Sequence, residues 1–144
     1  MEKPWENEQS HLEWFTAAGL LGVIHRVEWQ GHLCGYVRVP AGHPWHGVER
    51  EFDIDATCHG GVTYTRNYKP GGPEPDPDGG WFVGFDCAHA GDLSPRTMER
   101  LGRTHPSSDE TYRTLDYVKH EVEQLAAQAV AAGADSWLAP ALSA

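Results

Sequence analysis

The sequence predicts an α+β fold: a mainly antiparallel sheet of four or five strands, carrying a short N-terminal helix and a long C-terminal helix packed on it. Three observations lead there. Apolar and polar residues alternate with period two in segments 20–29, 33–39 and 81–85. An apolar stripe (Tyr112, Leu115, Val118, Val122, Leu125, Ala126, Ala129) recurs at spacings of three and four near the end. The strand signals also precede that helix as a run instead of alternating with helices.

Ser10 and Glu13 have the spacing of a capping box before Leu12, Trp14 and Phe15, so a short helix is expected there, stopped by Gly19. The strands 20–29 and 33–39 then form a hairpin about Gln30-Gly31, and Pro40 ends the second. Residues 40–47 are a loop, and a weak alternation over 49–54 suggests a third strand. A β-rich stretch, 60–66, leads into residues 68–80, where four Pro and four Gly exclude both helix and central strand. The 81–85 strand follows, then a helical turn near 95–101. Ser107 and Glu110 supply a second capping box for the long helix, and Gly133 supplies its stop. Trp137 and Leu138 are expected to tuck against the core. The 144 residues read as one domain, 1–144, with the Pro/Gly-rich loop at 68–80.

Eleven Lys and Arg against 21 Asp and Glu give a net charge of −10. An acidic chain lacks the clustered cations that neutralise phosphates, so direct nucleic-acid binding is not expected, nor is electrostatic attachment to a membrane surface. The polar N-terminus does not read as a signal peptide, and three Cys without a CxxC pair suit a reducing compartment, so a cytoplasmic setting is expected.

Centring the 68–80 loop near Pro73 and Glu74 pairs Gly61 with Asp86 and sets His59 opposite Ala88 and His89. Directly opposed side chains can touch. His59, Asp86, His89 and Asp92 therefore converge at one end of a hairpin, and these are the candidate catalytic and metal-ligating residues. Alternation points Asp86 away from the face of Trp81, Val83, Phe85 and Cys87. Gly60, Gly61 and Gly84 remove bulk beside it, as a cleft would require. Two imidazoles and two carboxylates suit Zn²⁺, Mn²⁺ or Fe²⁺ as cofactor, and an open coordination position would activate water. The competing reading makes Asp86 and Asp92 turn caps, with the His rings bonded to backbone. Cys87 beside His89 is an alternative nucleophile, although it falls on the apolar face.

The loop containing His43, Trp45 and His46 is a candidate wall of the cleft, with Trp45 as a stacking platform, and Gly60, Gly61 and Tyr64 are further candidate ligand contacts. Signatures of dinucleotide enzymes, P-loop NTPases, zincins and α/β-hydrolases are absent from the sequence.

At GYVRVPAGHPWHG from Gly35, HGGVTY from His59, GFDCAHAGD from Gly84 and YRTLDYVKHEVEQLAAQ from Tyr112, the chain resembles a group of small proteins of actinobacteria and their phages. The resemblance spans about residues 33–128. It implies an intracellular bacterial or phage setting, assigns no catalytic role, and directs attention to the same His and Asp residues. The expected function is binding of a polar, nucleotide-like small molecule in a His/Asp cleft, with hydrolysis assisted by a divalent metal. The alternative is a non-catalytic phage-type inhibitor or ligand-sequestering protein, whose acidic surface engages a host protein.

Overall fold

Alternation builds the sheet. The computed structural model describes residues 2–134 and contains five strands, β1 (His11–Phe15), β2 (Leu21–Arg26), β3 (Leu33–Val39), β4 (Tyr64–Arg66) and β5 (Trp81–Asp86). They lie in the order β1-β2-β3-β5-β4, and every neighbouring pair is antiparallel. Two helices follow, α1 (Pro95–Arg100) and α2 (Leu115–Gly133). Trp137 and Leu138 lie outside the described residues.

One face of the sheet packs on α2. Ile24, Leu33, Val37, Val83 and Phe85 meet Val118, Val122, Leu125 and Ala129 in the main core. Glycine permits the close approach: a Cβ at Gly35 would lie 2.6 Å from Val122 Cγ2. The other face carries a smaller cluster, Val23, Cys34, Tyr36 and Phe82, with Tyr64 packed against it. The rings of Tyr36 and Tyr64 meet edge-on at 4.9 Å. Both residues pair with Gly84, and a Cβ at Gly84 would lie 2.5 Å from the Tyr36 ring. Gly84 thus makes room for the chain's own aromatic ring.

Four local expectations are corrected. Residues 11–15 form a strand, because Leu12 and Trp14 alternate toward the core. The capping residues are engaged elsewhere: Ser10 Oγ accepts from Arg26 Nε, and Glu13 binds His11 and Lys69. Within 49–54 there is a 3₁₀ turn, Glu51–Asp53, rather than a strand. The long helix begins at Leu115, where Thr114 Oγ1 accepts from the Tyr117 N–H. Residues upstream of it are held extended, with Leu93 N–H donating to Thr111 O and Thr111 N–H to Gly91 O. The β4–β5 ladder sets Tyr64 opposite Gly84, one residue off the pairing expected from the loop centre.

Candidate functional site

β5 ends at Asp86, and the turn after it returns His89 and Asp92 toward α2. The turn is fixed by carboxylates, because Ala88 N–H donates to Asp86 Oδ1 (3.0 Å) and His89 N–H to Asp92 Oδ2 (2.9 Å). His59 comes from the approach to β4. Its Nε2 lies 2.8 and 3.0 Å from the two oxygens of Asp92, and its Nδ1 lies 2.7 Å from the Tyr117 hydroxyl. A carboxylate only accepts, so His59 Nε2–H donates to Asp92, and in the neutral ring Tyr117 O–H donates to Nδ1. Arg113 Nε donates to Asp92 Oδ1 at 2.8 Å, and its guanidinium lies over the Tyr117 ring.

The Asp92 side chain is buried. Burial alone would raise its carboxyl, but the donors on His59, Arg113 and the His89 backbone outweigh that and hold it below the usual range. His89 is the loose end of the cluster. Its Nδ1 is buried, has no hydrogen-bond partner among the described residues, and lies 3.5 Å from both Asp86 Oδ1 and Asp92 Oδ2. His59, His89 and Asp92 each present a ligand atom, all within 4.8 Å of one another. Asp86 stands beside them, on the rim of a groove of about 270 Å³ lined in part by Gln30, His32, Tyr36, Thr63 and Tyr64.

The other candidate residues have different surroundings. His43 is buried, its Nε2–H donating to Ala129 O (2.7 Å) and its Nδ1 accepting from Trp45 N–H (2.9 Å), so it ties its loop to α2. Trp45 is buried in the main core. His46 Nε2–H donates to Gly79 O and its ring leans on Trp81. Gly60 lies beneath the His89 ring, where a Cβ would come within 2.3 Å, whereas Gly61 faces open space. Tyr64 lies in the groove, its hydroxyl donating to Tyr68 O.

Burial pushes the Cys58 thiol up to about 12 and the Cys87 thiol higher still. Both thiols therefore favour the protonated, weakly nucleophilic form at neutral pH. Arg113 and Tyr117 belong to the site and were not singled out by sequence reasoning. Their signal was an Arg and a Tyr on either side of the N-cap Thr114, hidden beside an apolar stripe.

The chain matches no protein-family model, no curated protein and no solved structure, so its function is read from the geometry alone. Among the described residues, no helix is long and apolar enough to cross a membrane.

Proposed function

We propose that His59, His89 and Asp92 hold a divalent cation, Zn²⁺, Mn²⁺ or Fe²⁺, with Asp86 at its edge, and that the protein hydrolyses a polar small molecule. The observation that carries this reading is the buried, unpartnered His89 Nδ1 facing two carboxylates. A buried nitrogen without a partner is costly, and a cation among these groups would satisfy it. The cation would supply an activated water. With His59 Nε2 turned to the cation, its proton passes to Nδ1 and is donated to Tyr117, which becomes an outer-shell acceptor. Arg113 fixes the far oxygen of Asp92. Among the described residues lining it, the groove beside Asp86 has no Lys or Arg. It therefore suits an uncharged hydrogen-bonding ligand such as a nucleoside better than a phosphorylated one.

Calorimetric titration with Zn²⁺ and Mn²⁺, beside melts of the same variants, tests the reading. His89→Ala and Asp86→Asn should weaken one binding event at least tenfold while each changes stability by no more than about 1 kcal/mol. If wild type and His89→Ala titrate alike, the four side chains form a structural knot and the proposal fails.

A further inference from the structure

His11 and His25 are directly opposed across β1 and β2, the pair in which two side chains on one sheet face come closest. Their Nδ1 atoms are 3.1 Å apart, and their rings meet edge-on. Two nitrogens bound to one cation at about 2.0–2.1 Å, with an angle near 100° between them, would stand about 3.1–3.2 Å apart. The separation needed for chelation is already present.

The remaining atoms of the pair are arranged in the same sense. His11 Nε2 is 2.6 Å from Glu13 Oε2, and the other oxygen of Glu13 is 2.9 Å from Lys69 Nζ. Burial would raise the Glu13 carboxyl, but His11 and Lys69 outweigh it and keep it ionised. An ionised carboxylate accepts the Nε2 proton of His11, which leaves the Nδ1 lone pair facing His25. This is the carboxylate–histidine relay that orients metal-binding imidazoles. Burial, and then the neighbouring His11, hold His25 below the ordinary imidazole range. Gly71, in the left-handed region with φ +85, packs on the His25 ring, where a Cβ would lie 3.0 Å from Nδ1. The pair opens onto a concavity of about 340 Å³ bordered by Lys69, Pro70 and Gly72.

We propose that His11 and His25 chelate a borderline divalent cation, Zn²⁺ or Cu²⁺, through their two Nδ1 atoms, with Glu13 as the outer-shell carboxylate and water completing the coordination. The cation takes the position of the proton now shared between the rings, and His25 carries that proton on Nε2 instead, so no net proton need be released. Imidazole pairs favour Cu²⁺ and Zn²⁺ over Mn²⁺. The site is separate from the His59 group and stands whether or not that group binds metal.

The test is titration of the full chain with Zn²⁺ alone, followed by calorimetry and by proton–nitrogen correlation of the histidine rings. Saturation should mark Nδ1 of both His11 and His25 as metal-bound. His11→Ala should lose one equivalent that His89→Ala retains, and Glu13→Gln should weaken the same equivalent by about 10- to 100-fold. His11 is an exposed edge-strand residue, so its alanine variant should fold, and Glu13→Gln alone decides the matter if it does not. The proposal is overturned if wild type takes up no zinc beyond the equivalent that His89→Ala removes. It also fails if Zn²⁺ leaves the Nδ1 signals of His11 and His25 unmoved, or if Glu13→Gln binds as wild type does.

Discussion

Two adjacent glycines show how much a single Cβ decides. Gly60 and Gly61 both have positive φ, +71 and +84, so alanine at either is strained by roughly 1–2 kcal/mol. Only at Gly60 would the new methyl enter the His89 imidazole. Gly60→Ala should therefore displace His89 and weaken Zn²⁺ binding at least tenfold, while Gly61→Ala costs similar stability and leaves that affinity unchanged. Paired urea melts and zinc titrations check both halves. The sequence made glycines beside the Asp and His residues visible. It did not show that the space they leave is filled by His89 and Tyr36, because ring placement depends on the turn after β5 and on strand register. The convergence of His59, His89 and Asp92 followed from the loop centre even with the register one residue off, since opposed ends of a hairpin stay close under such a slip.

At the scale of elements, the 68–80 loop changes meaning most. Its turn-forming composition reads as a dispensable connection, and that reading expects shortening to move the melting temperature by only a few degrees. In the structure Pro70 is buried, Lys69 pairs with Glu13 on β1, and Asp76 Oδ2 accepts from Arg38 Nε on β3 at 2.6 Å. The loop is stapled across the sheet face opposite α2. Replacing it by a tight turn should cost about 2 kcal/mol or more, read as a melting temperature lower by roughly 6 °C or more. Burial would raise the Asp76 carboxyl, but the Arg38 bond and the Asp78 backbone outweigh it and hold it low. A depressed carboxyl stabilises the fold above its unfolded value, near 3.9, and that contribution disappears as pH falls through the folded value. Amide exchange across 68–80 should thus accelerate below about pH 4, and Asp76→Asn should abolish that pH dependence. Long elements were legible, because β3 and the body of α2 repeat their period many times. The segments 10–15 and 49–54 were not, since short signals yield to tertiary pairing.

Across the whole molecule, residues before the first strand join the sheet to the long helix. Glu8 Oε2 accepts the Leu115 N–H at the start of α2, and Glu8 Oε1 accepts from the Tyr112 hydroxyl. Arg26, buried on the helix side of β2, donates to Tyr112 and to Gly31 O and lies 3.5 Å from Glu8. Removing one partner of a buried ion pair strands the other, so Glu8→Ala should cost about 3 kcal/mol. Denaturant melts measure that loss. Helical exchange rates should show its origin in the first turn of α2. No periodicity marks Glu8, and its role depends on a contact 107 positions away along the chain.

The strand order has a temporal consequence. β1, β2 and β3 meet through short connections and can pair as soon as residue 39 is free, but among the described residues β4 has no neighbour in the sheet other than β5. The fourth strand can therefore pair only once the fifth is available, and that β4–β5 hairpin must then dock against the third strand, a contact of long sequence separation that forms slowly. The group at His59 needs that event and the arrival of α2 as well, because Asp92, Arg113 and Tyr117 close around it. During refolding, pulse-labelled amides of the β2–β3 hairpin should be protected first, and the amides that pair β5 with β3 later. A chain emerging from the ribosome would hold a finished hairpin long before it held a site.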